Sequence, residues 1–262
     1  MSLISTLTSG VSALRSFSTG LSTIGNDIAN VTTTSFKKGN VSFADTFTGA
    51  GVQSTGVTTS FIQGALENTG NVTDLGISGN GFFIVKDAAG KQFATRDGSF
   101  HYDNTGRLVT SQGLAVQGLV GGAVADIPLG TPPAGAQLQS ISIDTSGNIT
   151  EFYSDGTSAV TAQVLLQNFS DMGALTKEGN NLYANLDNAQ PVGGTVFATP
   201  ADNVPGTNGL GAVRSGTLEQ SNVDLTEEFS KMITMQRSFQ AGARLITVSD
   251  SMLEDIVNLK TR

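Results

Sequence analysis

All six prolines of this 262-residue chain fall between Pro128 and Pro205. Proline lacks a backbone N–H and its ring clashes with the preceding helical turn, so long helices are free to form only towards the two ends. At the N-terminus, apolar residues stand at Leu3, Leu7, Val11, Leu14, Phe17, Leu21, Ile24, Ile28 and Val31. Steps of four and three alternate, which aligns them as a narrow seam of coiled-coil type. This helix is expected to stop near Asn30, where Val31-Thr32-Thr33-Thr34 brings β-branched residues of poor helix propensity.

A second seam follows Ser221-Asn222-Val223-Asp224: Leu225, Phe229, Met232, Gln236, Phe239, Ala243, Ile246, Asp250, Leu253 and Val257. Acid in its first turn (Asp224, Glu227, Glu228) and base in its last (Lys260, Arg262) suit a helix dipole. Gln236 and Asp250 interrupt the stripe; polar groups on a seam cost stability but can fix register. One such helix alone would read as an ordinary amphipathic helix. Two, at opposite ends of one chain, predict a pair.

Between them the pattern is β. Phe82–Val85, Gln92–Thr95, Ser99–Tyr102 and Leu108-Val109 are short β-rich runs, separated by turn signals at Ala89-Gly90, Asp97-Gly98 and Thr105-Gly106. Ile141–Asp144 alternates, turns at Ser146-Gly147 and resumes as Ile149–Tyr153 before Asp155-Gly156, and Val164–Leu166 reads as a buried strand. Strands about ten residues apart suggest a sandwich or barrel-like domain of short antiparallel strands. Gly118–Gly135 and Pro191–Gly211 read as Gly/Pro-rich connections. The fold class predicted is mainly β with α-helical termini. Residues 1–35 and 222–262 supply the helices, and 36–221 the β-rich body with its connecting segments.

Composition excludes much chemistry. Only 14% of residues are charged and the net charge is −8, which is no footprint for nucleic acid. The absence of cysteine removes disulfides, thiolate catalysis and Cys-ligated zinc. His101, the one histidine, stands in a strand-like run with no Gly-x-Ser-x-Gly elbow in the chain, so no catalytic residue is assigned. Asp144–Asn148 lacks the closing Glu of a calcium loop and reads as a hairpin turn; no metal ligand is assigned. Gly76–Gly81 precedes a strand, whereas phosphate loops precede helices, so no cofactor site is assigned either. No apolar run is long enough to span a membrane, and no charged and apolar leader precedes Arg15, so membrane insertion and a Sec-type signal are not expected.

Several short motifs carry a family resemblance. Asn26-Asp27-Ile28-Ala29-Asn30, then Thr33 and Phe36-Lys37, resembles the N-terminal signature of the bacterial flagellar rod and hook proteins, with Asp27 in place of Asn and Ser35 in place of Gly. Gly79–Phe83, Thr95–Phe100 and Gly179–Tyr183 are similar to family elements of the middle. Leu218–Asp224, with Ser221 and Asn222, leading to Met232-Ile233 and Gln236-Arg237-Ser238-Phe239, is similar to the C-terminal signature. Val41–Phe47 and Leu253–Lys260 look more like a hook protein, while the length suits a distal rod protein.

The resemblance implies a non-enzymatic subunit of the hook–basal body that transmits motor torque. Its terminal helices would pair as the inner layer of a helical tube, with the β body outside. Seam residues at the subunit interface would be Leu3, Leu7, Leu14, Phe17, Leu21, Ile24 and Ile28 with Leu225, Phe229, Met232, Phe239, Ile246, Leu253 and Val257. Partners would be copies of itself, other rod and hook axial proteins, the type III export apparatus and an assembly cap. Hook is the first expectation and distal rod the alternative. From another class, a self-contained secreted β-rich adhesin also fits the residues. The N-terminal segment also carries Gly10, Gly20 and Gly25, so its helix is expected to be marginal in isolation and to order on assembly.

Overall fold

Helix α1 (Leu3–Ala29) follows the predicted stripe, and Asn30 closes it by donating from Nδ2 to the carbonyl of Asn26 at 2.9 Å. Helix α2 (Leu225–Lys260) begins where the acid cluster predicts: Asp224 is its N-cap, accepting at Oδ1 from Thr226 N at 2.8 Å. The computed structural model describes residues 3–46 and 51–260, and within them all side chains except those of 3–5, 256, 257, 259 and 260. Chain packing separates two units: Met1–Thr32, Phe36–Ile62 and Asn222–Arg262 form the first, Thr33–Ser35 and Gln63–Ser221 the second.

In the first unit the helices are antiparallel. A Cβ added to Gly10 would stand 3.1 Å from Ile246 Cγ1, one on Gly242 3.2 Å from Leu14 Cδ2, and one on Gly20 3.4 Å from Met235 Cε. These glycines weaken each helix locally but allow the close approach that packs the two together. The same unit holds an antiparallel hairpin, β1 (Gly39–Asp45) and β2 (Val52–Thr59). The predicted division placed this segment in the β body. It clusters with the helices because Ser16 Oγ donates to Val52 O at 3.0 Å, Phe17 meets Phe43 edge-on at 6.4 Å, and buried Asp27 accepts from Gly39 N at 3.1 Å.

The second unit is β throughout apart from two short 3-10 turns. Its strands are β3 (Leu66–Asn68), β4 (Leu75–Ser78), β5 (Phe83–Lys86), β6 (Gln92–Thr95), β7 (Phe100–Tyr102), β8 (Leu108–Thr110), β9 (Ala115–Val120), β10 (Ala123–Asp126), β11 (Leu138–Ile143), β12 (Asn148–Tyr153), β13 (Ser158–Val164), β14 (Thr176–Gly179), β15 (Leu182–Ala184), β16 (Ala212–Ser215) and β17 (Thr217–Glu219). Eleven join one antiparallel sheet with the path β11-β12-β13-β9-β5-β6-β15-β14, on which β10 and the β7-β8 hairpin branch from β9. Two further pairs, β16-β4 and β17-β3, complete the unit.

The predicted turns at Gly90, Gly106, Gly147 and Gly156 all hold φ between 75° and 87°, the left-handed conformation for which glycine is suited. The expected connection from Gly118 is corrected. Gly118 lies inside β9, paired with Val164 and Ala125, and only glycine fits there because a Cβ would stand 2.5 Å from Gln163 O and 2.8 Å from Ile127. The core runs through Leu75, Ile77, Phe83, Val85, Leu108, Val116, Ile127, Ile149, Val164, Leu166 and Val213. Burying each such side chain contributes about 1.5–3 kcal/mol.

Because β16 and β17 pair with β4 and β3, the continuous part of the compact β unit runs over Gln63–Ser221. A fragment of those residues should melt cooperatively with a β-type circular dichroism spectrum. Ending it at Gly211 removes Val213 from beside Ile77, and the melt should broaden or vanish.

Candidate assembly interface

Two charged clusters tie together segments distant in sequence, one in each unit. In the β unit, Arg96 and Glu219 are almost wholly buried, with Nη1 3.5 Å from Oε2. Arg96 Nη1 also donates to Gly79 O at 3.0 Å, and its guanidinium lies 5.1 Å from the centre of the Phe82 ring. Burial pulls the guanidinium pKa below its ordinary value, and Glu219 works against that shift. Glu219 Oε1 accepts from Gly64 N at 2.8 Å, and its carbonyl accepts from Ser35 N at 2.7 Å. Ser35 Oγ donates to Arg96 O at 2.8 Å. The serine holds φ at 56°, so the backbone conformation a glycine would favour is kept, with a buried hydroxyl bond beside it.

In the helical unit, Asn222 performs a similar role. Its Oδ1 accepts from Lys38 N at 2.8 Å, and its Nδ2 donates to Ser60 O and Ile62 O at 2.9 and 3.0 Å. Lys37, fully buried, donates from Nζ to Ile62 O at 2.9 Å. Lys38 and Lys231 both reach Glu227, at 3.0 and 2.7 Å, and Lys231 reaches the buried Glu228 at 2.9 Å. Hydrogen bonding from Lys231, then Lys38, holds the Glu227 carboxyl down at about 2. That stabilisation is present above about 4.5 and is lost as pH falls towards about 2. As an exposed pair it is worth under about 1 kcal/mol.

Among the predicted seam residues, Ile24 is buried, and Leu7, Leu14, Phe17, Leu21, Ile28, Met232, Ile246 and Leu253 are half-buried. Leu225, Phe229 and Phe239 are exposed, and the side chains of Leu3 and Val257 lie outside the described residues. The buried line on α2 is offset by one residue from part of the predicted seam. Glu228, Gly242 and Ser249 are buried and Met235 half-buried, at intervals of seven, where the apolar count gave Phe229, Gln236, Ala243 and Asp250. Hydrophobicity favours large side chains, whereas close helix packing also admits small ones, here Gly242 and Ser249. Left over on α2 are Leu225, Phe229, Ile233, Leu245, Val248 and Met252, each 40–55% exposed.

Of the motif residues, Phe36 and Lys37 are buried, Asn30, Ser221 and Asn222 half-buried, and Asn26, Ala29, Gln236 and Arg237 exposed. The sequence reading assigned no role to Arg96 or Glu219. The signal available was charge set beside strand runs, at Thr95-Arg96 and Leu218-Glu219.

Residues 76–151 match the model of the flagellar hook protein FlgE/F/G D1 domain, and residues 214–259 that of the flagellar basal body rod FlgEFG protein C-terminal region. The flagellar basal-body rod protein FlgG of Bacillus subtilis (strain 168) is 37% identical, over 98% of this chain and 100% of its own length. This chain belongs to the flagellar rod and hook protein family. The FlgG of Borreliella burgdorferi is 31% identical over 91% of the chain and 92% of that protein. The hook protein FlgE of Escherichia coli (strain K12) is 27% identical over 95% and 98%. The family is structural, and this member is not an enzyme; its single histidine, His101, lies exposed on β7. None of these similarities supports an adhesin. Among the described residues, no helix is long and apolar enough to cross a membrane.

Removing one partner of a buried ion pair costs about 3–5 kcal/mol, whereas replacing both with apolar groups costs far less. Urea denaturation should therefore show Glu219→Leu losing about 3–5 kcal/mol, and Arg96→Met with Glu219→Leu recovering much of the loss. Equal losses in the single and double variants would remove the pair from its structural role.

Proposed function

We propose that the chain is a rod subunit of the flagellar hook–basal body that polymerises head-to-tail into a torque-transmitting helical tube. Two apolar patches left exposed on α2, Leu225, Phe229 and Ile233 near its start and Leu245, Val248 and Met252 further along, carry this reading. Patches of this kind on a chain of globular composition mark surfaces that meet another protein. Subunits that meet through two different surfaces, without closing a ring, build helical filaments. In this reading α1 and α2 form a coiled-coil inner layer and the β unit an outer one. The seam residues of both helices share the work of packing within a subunit and between subunits.

Rod is favoured over the hook expected first because FlgG matches end to end at 37% identity, whereas the Escherichia coli hook protein, matched over nearly the same shares, is 27% identical. The 41% identical hook protein of Treponema pallidum matches over 47% of this chain and 25% of its own length. Subunits would reach the growing tip through the type III export apparatus and add beneath an assembly cap, next to other axial proteins. The low charge of 14% leaves few buried ion pairs to break at such contacts. The three glycines of α1 favour helical ends that are marginal in the free subunit and order on assembly.

Immunogold labelling of isolated hook–basal bodies should mark the rod; label confined to the hook would overturn the rod reading. Ile233→Asp, at a position 52% exposed, should leave the melting temperature of the dilute subunit within about 2–4 °C of wild type. It should abolish tubes in electron micrographs, because an unpaired charge in an apolar contact costs several kcal/mol. Hydrogen exchange on the dilute subunit should find the ends weakly protected and the core of the β unit strongly protected.

A further inference from the structure

A network of buried amides ties three loops of the β unit together. Gln167, fully buried, donates from Nε2 to the carbonyls of Asn168 and Val192 at 2.8 and 3.1 Å. Its Oε1 accepts from Phe197 N at 2.9 Å and from Asn203 Nδ2 at 3.0 Å. Asn203 Nδ2 also donates to Leu166 O at 2.9 Å, and Asn203 O accepts from Leu166 N at 2.9 Å. The Gln167 amide is therefore complete, and both N–H groups of Asn203 are used. One acceptor is left over. Asn203 is only 5% exposed, and its Oδ1 accepts from none of the described residues. A buried amide oxygen stays open in this way where a group from outside the network donates to it.

Asn203 lines a cavity of about 300 Å³, the small end of the range for ligand sites. The carboxylate of Asp202 stands at the exposed side, where one oxygen accepts from Asn208 Nδ2 at 3.2 Å. Asp202 Oδ2 and Asn208 Oδ1 have no donor among the described residues. Asn168 adds a donor: Phe169 N occupies its Oδ1 at 2.9 Å, which leaves Nδ2 for a partner. Val192 and Leu210 form the apolar part of the lining. The turn that carries Asn208 is held in shape by Thr207, whose N and Oγ1 both donate to Val204 O, at 3.2 and 2.6 Å.

We propose that this cavity binds a neutral sugar ring, with hydroxyls donating to Asn203 Oδ1, Asp202 and Asn208 and accepting from Asn168 Nδ2. A hydroxyl suits such a mixed set because it both donates and accepts. An anion would face the Asp202 carboxylate on a chain of net charge −8. A metal cation would find a single carboxylate in the lining, and it would leave Val192 and Leu210 without a partner. The C–H face of a sugar covers those two side chains. Because the network fixes Asn203 beforehand, little ordering is lost on binding. This assignment does not depend on the assembly reading.

Saturation-transfer NMR on the full chain is the test, with glucose, galactose, mannose and N-acetylglucosamine as probes. At least one should show transfer, with a Kd on the order of 1 mM. Asp202→Ala, at an exposed position, should keep the wild-type circular dichroism spectrum and weaken that binding at least about tenfold. Val192→Trp, at a position 51% exposed, should keep the fold and block the cavity with its ring. Absence of transfer from all four sugars would leave the cavity to water and overturn the proposal. Transfer that is unchanged in either variant would place the sugar elsewhere and overturn it too. Displacement of the sugar by an equal concentration of calcium chloride would give the cavity to a cation and overturn the choice of ligand.

Discussion

The pairing of Arg96 with Glu219 is the contact on which the β unit's entry and exit segments depend. A guanidinium and a carboxylate taken out of water cost several kcal/mol each, so they persist only where further hydrogen bonds satisfy them. Here the further bonds come from chain segments far apart: Gly64 donates to the carboxylate, Ser35 to the carbonyl of Glu219, and Gly79 accepts from the guanidinium. Misplacing any one of these segments strands a buried charge. Asn222, three residues after Glu219, joins Lys38, Ser60 and Ile62 in the helical unit with one side-chain amide. Each of these polar groups thus anchors the chain within its own unit.

The helices obey a different economy. Gly10 and Gly20 each weaken α1 by roughly 1 kcal/mol relative to Ala. They stand where Ile246 and Met235 approach, and Gly242 stands where Leu14 does. Small residues at Gly242 and Ser249 let the backbones approach, while Phe229, Ile233, Leu245, Val248 and Met252 on the other sides of α2 stay exposed. A helix built for a monomer would place Phe229, Ile233, Leu245 and Val248 inwards. That arrangement suits a subunit that is incomplete until it meets its neighbours.

Much of this was legible in the chain. Proline placement and the spacing of Leu7, Leu14, Leu21 and Ile28 located α1, and Asp224 with Glu227 located the start of α2 to the residue. The runs at Phe82–Val85 and Ile149–Tyr153, with glycine turns between strands, located the better part of the sheet. The family followed from Asn26–Asn30 and Gln236–Phe239, and the similarity to rod proteins agrees. Gly118 misled, because a glycine beside other glycines signals a connection locally, while the strand it belongs to is held by pairing with β5, β8, β10 and β13.

The sequence by itself determined periodicity and turn positions, since these are set by residues within a turn or two of one another. Tertiary structure decided which line of α2 is buried, that the hairpin Gly39–Thr59 joins the helices, and that Arg96 finds Glu219. Those outcomes depend on packing between residues up to 236 positions apart, as Gly10 is from Ile246, and no local pattern encodes how closely two surfaces will meet.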